Sequence, residues 1–358
     1  MEHKFNYQWT LADAKFTKDK GKVFSCFACG GGSTMGYKLA GFDVIGCNEI
    51  DPRMNKVYVE NHHPKFNFLC DIRELVGKAK THELPEELYN LDVLDGSPPC
   101  SSFSTAGKRE KGWGKEKHFR EGQTSQVLDT LFFDFIELAK ELQPKVVVAE
   151  NVKGLTLGEA TKYVKKIGEE FRIAGYSPTL NLCNGAKMGI PQNRERVFFV
   201  AIRNDLLDFV PKEGLFEEPF IDLYFNEPEI CCGEFADYSG KEITGEKTRQ
   251  LWENRKYGDC NQSLANERLF GTRNCNFGQS YAYEDNPSPT MTAKANYLMW
   301  YSVPKWMSEK EIRCIASFPQ DYNFLTQNPN YICGMSVPPV MMAQVASRVY
   351  EQWLSKIK

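Results

Sequence analysis

The chain has 358 residues, 42% of them apolar and 25% charged, with a formal net charge of −3. This is ordinary globular composition, with room for one large domain and a smaller one. No stretch of about 18 apolar residues suggests a membrane span, and the first residues lack the apolar core of a signal peptide, so a cytoplasmic protein with no membrane partner is expected.

The elements follow in chain order. Residues 22–27 (Lys-Val-Phe-Ser-Cys-Phe) read as a strand, 28–33 (Ala-Cys-Gly-Gly-Gly-Ser) as a glycine-rich turn and 34–40 as a helix. A second strand over 42–47 ends at Asn48-Glu49-Ile50-Asp51, and a helix is expected over 54–61. Leu91-Asp92-Val93-Leu94-Asp95 reads as a short buried strand leading into Gly96-Ser97-Pro98-Pro99-Cys100. Apolar residues at helical spacing mark 127–142, followed by an apolar strand over 145–149, a helix over 160–174 and a strand over 197–202. This rhythm predicts an α/β fold: a doubly wound parallel sheet with helices on both faces. From about 204 to 300 the period is lost among prolines, glycines and aromatics, which predicts a smaller, irregular or β-rich domain. Ser308 is expected to cap a helix over 308–315, and 340–356 forms the last helix, with Val345, Val349 and Trp353 on one face.

Twelve cysteines lie scattered without a repeating framework, which favours reduced thiols. Cys26 and Cys29 have CxxC spacing, but no second pair completes a site, and no metal is expected. The small negative charge excludes a surface coated in basic groups but leaves room for a local basic cleft.

Three constellations carry chemistry. Glycines between a strand and a helix let the backbone approach a ligand, and the helix N-terminus favours negative charge. With Glu49 at the next strand end, placed to hold ribose hydroxyls, this reads as a nucleotide-like cofactor site, to which Cys70-Asp71-Ile72 offers a further contact. Cys100 sits at a strand-to-loop exit, and Glu150 follows the apolar strand at its carboxyl end. A thiol and a carboxylate at neighbouring strand ends suit covalent and acid–base chemistry on one ring. Arg194 and Arg196, in Gln192-Asn193-Arg194-Glu195-Arg196, alternate toward one side of a starting strand and suit an anion or a base carbonyl. Each has an ordinary structural alternative: a packed thiol, a solvated carboxylate, a salt bridge. Residues 104–123 form a long, glycine-spaced, mostly cationic loop, suited to closing over phosphates.

Taken in this order, the pieces resemble the DNA cytosine-5 methyltransferase family, in its bacterial or phage modification form, over nearly the whole chain except the variable middle. The stretch 27–32 is similar to the family's first S-adenosylmethionine (AdoMet) motif, Pro99-Cys100 to its nucleophile motif, and Glu150-Asn151-Val152 to its Glu-Asn-Val motif. Residues 192–196 are similar to its Gln-x-Arg-x-Arg motif. Pro287-Ser288-Pro289-Thr290 is similar to the segment after the recognition domain. Phe318-Pro319-Gln320-Asp321-Tyr322 and Gly334-Met335-Ser336-Val337-Pro338-Pro339 are similar to the last motif. The chain departs from the pattern at Cys29, where the family has a glycine, at Ser101, where a glutamine follows the nucleophile, and at Met335-Ser336, where the family has Asn-Ala. None of these removes a group that makes or breaks bonds.

The resemblance implies AdoMet as cofactor and double-stranded DNA as partner, with catalytic roles for Cys100, Glu150, Arg194 and Arg196. It implies cofactor contacts from Phe27, Gly31, Gly32, Glu49, Ile50, Asp71, Ile72, Pro99, Ser336 and Val337. DNA contacts are expected from Ser104, Lys108, Arg109, Lys111 and Gln192. A Rossmann-like catalytic domain is expected over 1–203 and 304–358, with a target-recognition domain over 204–303. The expected state is a monomer, and a cognate restriction endonuclease acting separately is a compatible partner. Three rivals are weaker. The RNA-acting branch of the family carries a Cys-Phe-Thr tripeptide that is missing here. A silent DNA-binding relative has no need of Cys100, Glu150 and both arginines. A nicotinamide oxidoreductase calls for GxGxxG, which the turn lacks.

Overall fold

The structure, a computed structural model, describes residues 3–99, 130–158, 160–214, 218–272, 279–294 and 297–357. Cys100 and the 104–123 loop lie outside the described residues. Two compact units divide the chain: one holds 15–183, 195–225 and 342–358, the other 1–14, 184–194 and 226–341.

The first unit is built on a seven-stranded sheet. Its strands are β1 (Lys22–Cys26), β2 (Asp43–Glu49), β3 (Phe66–Leu69), β4 (Val93–Gly96), β5 (Val146–Val152), β6 (Tyr176–Asn184) and β7 (Glu195–Arg203), in the spatial order β3-β2-β1-β4-β5-β7-β6. β1 pairs parallel with β2 on one side and β4 on the other, β2–β3 and β4–β5 are also parallel, and β7 runs antiparallel to β5. The strand order therefore reverses at β1/β4, the switch point where doubly wound sheets open a ligand crevice. Val146, Val147, Val148 and Ala149 are wholly buried, as expected for a central strand with both faces covered.

Helices α1 (Gly32–Leu39), α2 (Pro52–His62), α3 (Ile72–Lys80), α4 (Leu131–Leu142) and α5 (Ala160–Ile173) join these strands. α2 starts where Asp51 accepts from the Arg53 amide at 2.9 Å, with Pro52 in the first turn. The sequence reading did not anticipate α3 or β6. In α3 a stripe of Ile72, Leu75, Val76 and Ala79 is buried, but Arg73, Glu74, Lys78 and Lys80 dilute it. In β6 the alternating Leu180 and Leu182 are exposed, so its apolar residues do not mark a buried face. A short antiparallel pair, β8 (Lys212–Glu213) and β9 (Glu218–Pro219), precedes the residues that dock on the C-terminal helix.

The second unit contains α6 (Glu246–Glu253), α7 (Gln262–Phe270), the parallel pair β10 (Ser280–Ala282) and β11 (Leu298–Trp300), α8 (Glu309–Ile315) and α9 (Pro329–Met335). Ile243, Trp252, Tyr281 and Met299 form a small core, and the Arg255 guanidinium lies 3.3 Å from the Trp252 ring centre. Ser308 and Glu311 make the expected capping box of α8. The last helix, α10, is Pro339–Gln352, with a tighter turn after it. The chain passes between the two units at 14/15, 183/184, 194/195, 225/226 and 341/342. The segment 220–222 is tied to the C-terminal helix: the Asp222 amide donates to Gln352 Oε1 at 2.9 Å and Trp353 Nε1 to the Phe220 carbonyl at 2.9 Å. Among the described residues no helix is long and apolar enough to cross a membrane.

Candidate active site

The glycine turn at the end of β1 is strained and braced. Phe27, Cys29 and Gly31 have φ of 53°, 46° and 78°, all left-handed, which costs a residue with a side chain roughly 1–2 kcal/mol. Glu49, at the end of β2, accepts the Cys29 amide on Oε2 at 2.7 Å and the Asp51 amide on Oε1 at 2.8 Å. Burial raises the pKa of its carboxyl while those two amides pull it back down. The expected ribose holder is therefore also the brace that allows Cys29 to stand at a left-handed position. Behind the turn His62 donates from Nε2 to the Gly30 carbonyl at 3.3 Å, and a side chain at position 31 would run into its ring. Burial holds His62 neutral, with its pKa pushed down to about 3. Ile50 is 38% exposed beside Glu49, Asp71 caps α3 and Ile72 is buried.

At the carboxyl end of β5, Glu150 and Arg196 form an ion pair of 2.8 Å between Oε1 and Nε, with both side chains largely buried. The pairing of β5 with β7 brings Arg196 opposite Val152, two residues beyond Glu150. Burial lowers the Arg196 pKa and Glu150 opposes this. The neighbouring Asn151 donates from Nδ2 to the Pro98 carbonyl at 3.1 Å. This ties β5 to the proline turn that holds Pro99 and runs on to Cys100.

Two expected site residues take other partners. Arg194 is 2% exposed and donates to the carbonyls of Met291 (3.2 Å), Gly334 (3.1 Å) and Ser336 (3.0 Å). Gly334 has no room for a side chain against Thr292. Gln192 is wholly buried; it donates to the Ile315 carbonyl at 3.0 Å and accepts the Met291 amide at 2.9 Å. Both residues join segments of the second unit, because the chain there offers buried backbone groups that need partners. Ser336 and Val337 belong to that unit too, with Ser336 Oγ buried and without a hydrogen-bond partner. Sequence reasoning assigned no role to Asn151, His62 or Asp95. Asp95 left a signal, an acid inside an otherwise buried strand, whereas His62 left none.

The same arrangement occurs in solved structures. A putative DNA modification methyltransferase encoded within an E. coli prophage matches with a TM-score of 0.62 and 18% identity, over 92% of this chain and 99% of that one. The S. pombe Dnmt2 methyltransferase matches with 0.58 and 16%, over 92% and 98%. Sheet order and glycine turn thus define the fold class of the AdoMet-dependent methyltransferases. Type II methyltransferase M.FnuDI of Fusobacterium nucleatum is 38% identical over 185 residues, 52% of this chain and 48% of that protein. Type II methyltransferase M.NgoPII of Neisseria gonorrhoeae is 36% identical over 186 residues, 52% and 49%. The chain spans about half the length of these relatives. The family model for C-5 cytosine-specific DNA methylases matches residues 21–351, and the chain belongs to that family. Methyltransferases of this kind use AdoMet generally.

Proposed function

We propose that the chain transfers a methyl group from AdoMet to C5 of cytosine in a specific duplex DNA sequence, through a covalent adduct of Cys100 at C6. The Glu150–Arg196 pair carries this reading: a fixed carboxylate at a strand end, one residue from the Asn151 amide that holds Pro98. C5 of cytosine is a poor nucleophile, and addition of a thiolate to C6 turns it into an enamine carbon. An ordinary thiol has a pKa of about 8.5, so the site must assist ionisation of Cys100. Glu150 hydrogen-bonds or protonates N3 and draws electrons from C6, while Arg196 orients Glu150 and the base carbonyl. When bound, AdoMet supplies an electrophilic sulfonium methyl group. After transfer the C5 proton leaves and Cys100 is expelled. A base inside a duplex cannot reach such a site, so the cytosine is flipped out. Arg194 serves by holding the 334–336 segment.

The cofactor residues fit. Phe27, Gly31 and Gly32 lie in the turn after β1, left-handed at Phe27 and Gly31, and the Glu49 carboxylate has acceptor capacity beyond its backbone amides for ribose hydroxyls. Ile50 offers an apolar face, and Asp71 with Ile72 a further edge. Pro99, Ser336 and Val337 stay family expectations, as do DNA contacts from Ser104, Lys108, Arg109 and Lys111. Recognition of the target is assigned to 204–303 and catalysis to 1–203 with 304–358, in a cytoplasmic monomer whose restriction endonuclease, where one exists, acts separately. The test is transfer of labelled methyl from AdoMet to unmethylated duplex DNA and, separately, to tRNA, by the wild type and Cys100→Ser. Label at C5 of cytosine in DNA, lost in the variant, is the expected result. Label only in tRNA moves the chain to the RNA-acting branch, and none in either overturns the reading.

A further inference from the structure

At the β1/β4 switch point the two strands set Ser25 opposite Asp95. Ser25 Oγ donates to Asp95 Oδ2 at 2.8 Å. Asp95 is 1% exposed, and the hydroxyls of Tyr37 and Ser33 from α1 are its other polar neighbours. The groups facing this carboxyl are Ser25 and Cys26 from β1, Ser33 and Tyr37 from α1, and Glu150 from β5. Glu150 shares its face of the sheet, because Asp95 pairs with Val148, two residues before Glu150. No lysine or arginine of the described residues pairs with Asp95. Burial pushes its pKa up to about 7; hydrogen bonds from the Ser25, Tyr37 and Ser33 hydroxyls pull against that rise and the charge of Glu150 adds to it.

An acid buried at the β1/β4 switch point, met only by neutral hydroxyls and with no cation of its own, lacks a positive charge. The methyl donor brings one at its sulfonium and another at its α-ammonium. We propose that Asp95 is the counter-charge for the bound donor and gives up its proton to solvent when the cation occupies the crevice. The inference rests on the AdoMet reading above. Attraction in a poorly hydrated crevice is far stronger than in water, so the carboxylate form binds the donor more tightly. Below about pH 7 the proton must be expelled first, and affinity falls by up to about tenfold per pH unit; above that it levels off.

Calorimetric titration of the whole protein with AdoMet at pH 7, in phosphate and in Tris, reads proton release without turnover, because the two buffers differ in ionisation heat. About half a proton released per donor bound is expected, disappearing in Asp95→Asn. Release with AdoMet but not with S-adenosylhomocysteine, whose sulfur is uncharged, supports the proposal and assigns the sulfonium. Release with both supports it and assigns the α-ammonium. AdoMet binding without proton release in the wild type, or release unchanged in Asp95→Asn, overturns it. Absence of any AdoMet binding overturns the cofactor reading instead. Should Asp95→Asn fail to fold, Asp95→Ser replaces it, and the comparison of two ligands on the wild type still decides.

Discussion

Arg194 and Arg196 share one short motif, yet they lie in different compact units and meet different kinds of partner. Arg194 gives its guanidinium to the carbonyls of Met291, Gly334 and Ser336, which are neutral and fixed by the backbone. Arg196 donates once to a backbone carbonyl, that of Glu195 at 2.8 Å, but its Nε faces the Glu150 carboxylate at 2.8 Å, the group to which the proposed mechanism gives the work on N3. The first arrangement holds segments of chain together, and the second, on the proposed mechanism, orients a side chain. Two arginines of one motif thus differ in what they hold because their acceptors differ, not because the residues do.

Three experiments bear on that contrast, and a fourth on the buried groups beside it. The largest effect is expected from Glu150→Gln, which should lower the rate of methyl transfer by about 10²–10⁴ while AdoMet still binds. Single-turnover kinetics beside calorimetry measure both, and parallel loss of binding would dissolve the distinction. Arg194→Ala leaves three buried carbonyls without their donor, at about 1–3 kcal/mol for each group stranded. Urea unfolding should show a loss of at least about 3 kcal/mol, and a well-folded but inactive variant would put Arg194 at the chemistry after all. Arg196→Lys keeps the charge but loses the planar fork, and a rate loss of about tenfold with an unchanged unfolding midpoint is expected.

The smallest effect is in the pH dependence of stability of the ligand-free protein. The raised pKa of Asp95 means that its stabilising contribution is present below its unfolded value near 4 and is lost as pH rises through about 7. His62 has a lowered pKa, so its contribution is present above its unfolded value near 6.5 and is lost as pH falls toward about 3. Thermal melts of Asp95→Asn should therefore gain on the wild type at pH 8 but not at pH 4. His62→Gln should gain at pH 4 relative to its own value at pH 8. Parallel shifts at both pH values would mean that neither group's titration is felt.

Much of the sheet unit was readable from the chain. The apolar run of β5, the glycine turn after β1 and the acids at the ends of β2 and β5 are local patterns, and their order sets the β-α-β rhythm. α3 escaped because charged residues diluted its period, and β6 because its short run of alternating leucines is flanked by polar residues and a proline. The sequence by itself determined the fold class, the place of Glu150 at a strand end and the family of the chain, because period and motif order need no partner to be recognised. Only the tertiary structure decided that Arg194 and Gln192 hold backbone, that Glu49 braces Cys29, that His62 fills the space behind Gly31 and that Ser25 meets Asp95 across 70 residues of chain. Such roles depend on which acceptor or cavity folding brings alongside a side chain. That is a long-range consequence of strand order and register, which no local pattern records.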